Sequence, residues 1–373
     1  MMMQRLVLVG SLLLVALPAS AGPMEGKVVE ARGGVFAQPP GGSEAATKTG
    51  AVLAAGTRVR TAADGHLLLS FDDSSQLRLE ASSTVLLSSY PRKRAQKTSV
   101  VLFFGRVWSK VSRSISGETS FEVNTPNAVC GVRGTEFETA VADDGSVRVR
   151  VSEGKVSVAD DGDEALVEEG DEVEATDEEV GDASDAEEQA KWEAWQKQKS
   201  DRVKAGGKQV IDRVGTSVKQ RQQKIEALRA RQQEIETKRK SAEERLRSGE
   251  SNAADEIRGY NQQLAELADA IADIGDMAQA QFGFVDHLAD LAADPRFRMV
   301  DRKYLESQAA SLRKVKAMFD RMVKEGTDIS MEAMDKMLDD LGKGQRGTLK
   351  DKRGSSVEDM FDKGDMDMDD MRP

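Results

Sequence analysis

Apolar and polar residues alternate at two different periods along this chain, and the change of period divides it. Between about residues 24 and 175, apolar positions recur every second residue in short runs. Phe121 and Val123 share one face, Phe137 and Thr139 another, and Val147, Val149 and Val151 a third, with Arg148 and Arg150 opposite. This is strand periodicity. Turns at Asp64-Gly65 and Asp143-Asp144-Gly145 punctuate the runs. From about Ala186 the spacing lengthens to three, four and seven through Trp192, Trp195, Val203, Val210, Val214, Val218, Ile225, Leu228, Ile235 and Leu246. This predicts a long helix, kinked at Gly206-Gly207. After a break at Ser248–Asn252, a second helix is predicted over 253–292. Its seam is Ile257, Tyr260, Leu264, Leu267, Ile271, Ile274, Ala278, Gln281, Val285 and Leu288, a coiled-coil pattern ended by Asp294-Pro295. A third helix is predicted over 301–324, broken at Gly326-Thr327-Asp328, with a short fourth helix after it.

The predicted fold class is α+β in separate modules: an all-β sandwich or roll, then an α-helical coiled-coil hairpin and a disordered tail. The expected boundaries are a signal peptide at 1–21, a β domain at 24–175, an acidic linker at 176–189, a helical domain at 190–342 and a disordered acidic tail at 343–373. The short break near Gly249 favours an antiparallel hairpin with a third helix alongside. A homo-oligomer through the coiled coil is the rival arrangement. The linker offers no core, so the two modules are expected to fold independently.

Charge sharpens this division. The chain carries a net charge of −12. Asp160 to Glu188 holds 16 acidic residues and no basic one, while Lys191 to Ser248 holds 17 basic and 8 acidic residues. A basic helix suggests nucleic acid. The acidic total and the Glu residues interleaved at helix-pair spacing point instead to an acidic partner. The N-terminus bears Arg5, an apolar run from Leu6 to Leu17 and Ala19-Ser20-Ala21. That run is shorter than the roughly 20 residues that span a bilayer. It predicts a signal peptide cleaved after Ala21 and a periplasmic or secreted chain, with no stable membrane insertion after cleavage.

Little catalytic chemistry is on offer. A single cysteine, Cys130, sits among apolar and glycine residues and reads as a buried inert thiol. His66 and His287 lie far apart in sequence, and no zinc spacing, P-loop or dinucleotide fingerprint occurs. The acidic stretches lack the spacing of a calcium loop. The chain reads as non-enzymatic, with no cofactor and no metal.

One block is more specific. Phe121 to Phe137 reads FEVNTPNAVCGVRGTEF, followed by the Asp143–Gly145 turn and VRVRVSEGKVSV. The pattern TP-x-A-x-x-G-VRGT-x-F with these strands resembles the FecR domain, a periplasmic β-rich module of iron-transport signalling proteins and other envelope proteins. Leu53 to Val85 resembles the first half of that family, and Val101 to Val111 the link between halves. Cys130 stands where the family usually has a small or apolar residue. Well-known members place an anti-sigma segment and a membrane helix ahead of this domain. Here a cleaved signal peptide is expected there, so any signalling would run through a partner.

Thr125, Pro126, Gly131, Val132, Arg133, Gly134, Thr135 and Phe137 carry the motif and read as a structural corner between two strands. Arg133 is the candidate binding residue. An arginine inside an apolar corner needs a carboxylate or carbonyl partner, and Glu136 or Glu153 is expected to supply it. The resemblance indicates a family and a compartment but no ligand; the β module reads as a binding module for an envelope protein or cell-wall polymer, with the helices as spacer, oligomerisation or docking surface. The alternative is an accessory signalling component that relays ligand occupancy to a membrane partner.

Overall fold

The two-residue alternation folds into two layers that share one strand. The computed structural model describes residues 25–88, 97–112, 120–160, 162–186, 189–250, 252–295 and 297–352. The expected signal peptide lies outside the described residues, as do residues 353–373 of the tail. The first strands are β1 (Glu25–Arg32), β2 (Val35–Gln38), β3 (Ala45–Ala46), β4 (Val52–Ala54), β5 (Arg58–Thr61) and β6 (His66–Ser70). Next come β7 (Gln76–Leu79), β8 (Thr84–Leu87), β9 (Lys97–Lys110), β10 (Ser120–Asn124), β11 (Val129–Val132) and β12 (Glu136–Val141). The last are β13 (Val147–Glu153), β14 (Lys155–Ala159), β15 (Glu164–Glu168), β16 (Asp171–Ala175) and β17 (Ser184–Asp185).

One layer runs β4-β1-β6-β7-β9-β12-β13-β16-β17. The other runs β3-β2-β5-β8-β9-β10-β11-β14-β15. Strand β9 crosses between them at Gly105, which has φ +97° and no room for a Cβ, since one would lie 2.5 Å from Ser83 Cα. Leu67, Leu69, Leu77, Leu79, Val85, Phe121, Phe137, Val147, Val149, Val156 and Val158 from both layers fill a single core. The unit β5–β8 recurs as β11–β14, each strand starting 70 or 71 residues later. In both units the outer strands pair with each other in one layer and the inner two form a hairpin in the other.

Three helices follow: α1 (Gln189–Arg247), α2 (Ala253–Ala293) and α3 (Arg302–Lys352). Gly206, at φ −145° and ψ 37°, kinks α1 as the glycine pair predicts. Asp294 ends α2 in an extended conformation, as a residue before proline should. The break expected at Gly326 does not occur, and α3 continues through residue 352, into the stretch read as disordered tail. The Gly326 carbonyl accepts a hydrogen bond from Gln232 Nε2 at 2.8 Å, and Thr327 Oγ1 donates back to the Lys324 carbonyl at 2.9 Å. A Cβ at 326 would lie 2.8 Å from Ile271, so this glycine permits close helix packing rather than ending a helix. Val203, Ile211, Val218, Ile225, Ile271, Phe282, Val285, Leu288, Leu305, Phe319 and Val323 form a second core among the three helices.

The division into a β module and a helical module holds, and the two modules also meet. Each module has its own core, yet α2 lies against β9. Val101 and Phe103 pack on Ala280, and Gly283 sits so close that a Cβ there would lie 2.3 Å from the Phe103 ring. Asp276, fully buried, accepts hydrogen bonds from Ser88 Oγ at 2.8 Å and Ser99 Oγ at 2.7 Å. The 176–189 stretch, read as a solvated linker, also engages its surroundings. Val180 bridges Ala175, β17 pairs with β16, and Asp177 takes Arg202 and Arg213 from α1. Gly283→Val should therefore push α2 away from β9 at a cost of about 1–3 kcal/mol, the scale of overpacking. Calorimetry should show one coincident transition for the parent and two for the variant. Unchanged unfolding in the variant would mean that the contact contributes nothing.

Candidate functional site

The motif block divides between the two ends of the sandwich. At one end, Thr125 closes the TP corner. Its Oγ1 donates to the Ala128 carbonyl at 2.6 Å, and it also accepts from Ala128 N at 3.0 Å. The Pro126 carbonyl accepts from Gln281 Nε2 of α2 at 3.2 Å, and Asn127 Nδ2 donates to the Gly145 carbonyl at 2.8 Å. Gly145, at φ +85°, meets the Phe284 ring. This corner is the seat of the helical module. Gly131 lies within β11 between Glu122 and Ser157, so it serves no bend. Val132 and Phe137 are buried in the core.

At the other end, β11 turns into β12 through Gly134, at φ +66°. Thr135 Oγ1 ties this corner to the Lys155 carbonyl at 2.9 Å. Arg133 is exposed here, so the expected cross-brace is not formed. Glu136 is occupied instead by Trp108 Nε1 at 3.2 Å and Lys110 Nζ at 2.9 Å. The reason is geometric: Val132 and Phe137 take the inward positions on either side of the turn, which leaves the side chain between them facing water. Arg133 is thus free of the packing that a buried guanidinium would require.

The beginning of α1 covers the outward face of β13 and β16. Arg148, on the face opposite the valines, is buried against Glu172, with Trp192 and Trp195 each 5.9 Å from its guanidinium. Trp195 Nε1 donates to Glu174 at 2.9 Å, Lys199 pairs with the same carboxylate, and Arg202 reaches the buried Asp144 at 3.2 Å. Between this part of α1 and the sandwich lies a cavity of about 520 Å³. His66, Glu80, Ser82, Phe104, Arg106, Asp143, Trp192 and Lys197 contribute to its lining. Sequence reasoning did not find it, because its walls come from five separated segments. Both histidines lie near it despite their distance in sequence. His66 Nδ1 is 3.3 Å from Glu80, and His287 Nε2 is 3.0 Å from Asp143, with the His287 ring stacked on Phe104 at 3.6 Å. Neither of these pairs includes a serine or cysteine nucleophile.

Cys130 is fully buried between Val123 and Val158, and burial pushes its thiol up to about 12. It should resist thiol reagents at pH 8 until the protein unfolds. Cys130→Ala should cost roughly 1 kcal/mol, as small core truncations do. Thiol titration with and without denaturant tests this, and rapid labelling of the native protein would contradict it. Arg133→Met should leave stability within about 0.5 kcal/mol of the parent, the range of surface substitutions. A chemical denaturation curve tests that, and a loss of several kcal/mol would restore the cross-brace.

No curated protein matches the chain. Two similar solved structures are crystal structures, at 1.65 Å and 2.50 Å, of a “putative anti-sigma factor” from Parabacteroides distasonis ATCC 8503. They share 20% and 21% identity with this chain, and each has a TM-score of 0.31. The match covers 37% of this chain and 63% of theirs, so the chain spans less than two thirds of their length. A protein-family model described as FecR protein matches residues 57–157, from the start of the first four-strand unit to the last strand of the second. The sandwich therefore contains a FecR domain.

Proposed function

We propose that this chain is an envelope signalling-related protein that binds rather than catalyses. Its FecR module recognises a partner protein or a cell-wall polymer, and its helical module serves as spacer or docking surface. The supporting observation is the exposed Arg133 of the VRGT corner. Arg133 stands at the end of β11 and β12 remote from the corner that holds α2, so a partner reaches it while the helices stay docked. An exposed guanidinium offers a planar fork of donors suited to carboxylates. Export through the N-terminal signal places this recognition in the periplasm or outside the cell. Among the described residues no helix is long and apolar enough to cross a membrane.

The second reading is an accessory signalling component that relays ligand occupancy to a membrane partner. It draws on the docking of α2 against β9, a strand common to both layers. Any shift of the sheet is then felt by the helices.

The test is affinity capture from detergent-solubilised envelope fractions, with the protein and Arg133→Glu compared side by side. Specific prey should fall at least tenfold with the variant while its melting temperature is unchanged. A transporter or sensor as prey supports signalling, and wall polymer or structural proteins support scaffolding. Identical capture by both proteins would remove Arg133 from the binding surface.

A further inference from the structure

We propose that the cavity between α1 and the sandwich is a binding site for an acidic saccharide. The inference deepens the binding-module reading above and rests on it. A volume of about 520 Å³ lies in the range of small-ligand sites and holds roughly two pyranose rings. A sugar ring presents an apolar face of C–H groups and a rim of hydroxyls, so its sites pair an aromatic platform with polar groups of both kinds. Trp192 supplies the platform, its indole braced by Trp195 at 4.9 Å. Ser82 and Ser200 add hydroxyls to the lining. Ser82 holds φ +55°, a costly conformation for a residue other than glycine, at the cavity wall.

The charges select the acid. Both lining carboxylates are already engaged: Glu80 by His66 at 3.3 Å and Arg78 at 2.8 Å, and Asp143 by His287 at 3.0 Å. The lining cations are less committed. Arg106 reaches Glu138 only at 3.5 Å, though its guanidinium also lies 5.6 Å from the centre of the Trp192 ring, and Lys197 has no ion-pair partner among the described residues. Lys197 is thus the lining cation without a partner, and a carboxylate carried on a sugar would meet it.

The purified full chain should be titrated, by calorimetry and intrinsic fluorescence, with N-acetylglucosaminyl-N-acetylmuramic acid. Chitobiose serves as the neutral counterpart, since it lacks the lactyl carboxylate, and an alginate trisaccharide serves as a second acidic probe. At least one acidic probe should bind saturably and at least tenfold tighter than chitobiose. Lys197→Glu, at an exposed position, should abolish that preference. Trp192→Leu should weaken every saccharide at least tenfold, with circular dichroism confirming the fold. The proposal fails if no acidic saccharide binds saturably at millimolar concentration. It fails equally if chitobiose binds as well as the acids, if Lys197→Glu retains the preference, or if an acidic tetrapeptide binds in place of the sugars. Arg133 lies at the opposite end of the sandwich, so a failure here leaves the capture experiment standing, and a failed capture leaves this titration readable.

Discussion

The structure depends on the burial of α2 on every side between Gly275 and Val285. An amphipathic helix ordinarily buries one stripe and leaves the rest to solvent. Here one side meets α1 and α3 while the opposite side meets β9, and small residues make the second contact feasible. Gly283 lets the helix axis approach Phe103, and Ala280 completes that contact with Val101. Asp276 then sits in a dry interface, where a carboxylate is costly without donors. Ser88 and Ser99 supply them. A slide of α2 by one turn would strand that charge among apolar groups, so the pair of hydroxyls fixes the register of the helix on the strand. Asn124 Nδ2 donates to Ser99 Oγ at 3.0 Å, which carries this polar contact to the strand that leads into the TP corner.

That arrangement assigns different work to the two halves of the family motif. The TP corner is committed to holding α2 through Pro126 and Asn127. The VRGT corner, at the other end of β11, leaves Arg133 exposed. The duplicated four-strand unit explains the opposition. Inner strands β7 and β12 flank the second half of β9 on its two sides, so matching turns of the two units emerge at opposite ends of the sandwich. The turn Ala62–Gly65 of the first unit therefore lies by the cavity, next to His66, while its counterpart at Arg133 faces away from the helices.

Much of this was legible in the sequence, and the misses have physical causes. Two-residue alternation located the strands around Phe121, Phe137 and Val147, and the three-four spacing located α1 and α2 together with the kink at Gly206. The duplication was hidden because matching core positions hold different residues: Val59 against Cys130, Leu67 against Phe137, Leu79 against Val151. Hydrophobicity is kept while identity is not, as a packed core permits. The seam from Ile257 to Leu288 described one face of α2 correctly. The second face was written in small residues and one aspartate, which a search for large apolar side chains passes over. Arg133 was misplaced because the turn was read as apolar throughout, whereas alternation across Val132, Arg133 and Phe137 already puts the arginine outward. Gly326 was read as a helix breaker, but glycine also serves close packing, and sequence alone does not separate the two uses.

The charge asymmetry finds much of its resolution inside the molecule. The acidic stretch after the strands and the basic helix that follows are partners: Glu174 takes Trp195 and Lys199, and Asp177 takes Arg202 and Arg213. Further along α1, Arg239 lies between Glu236 and Glu243, and Arg245 reaches Glu250 and Glu256. The exposed pairs among them, such as those of Arg245, contribute little each, about 0–1 kcal/mol. Opposite charges interleaved along a helix leave no continuous basic stripe for a phosphate backbone or an anionic bilayer to follow. Lys197, one turn before the first of the interdomain arginines, lies outside this neutralisation. It stands instead at the mouth of a cavity whose own carboxylates are engaged, and there a single uncommitted positive charge has its largest effect on which ligand enters.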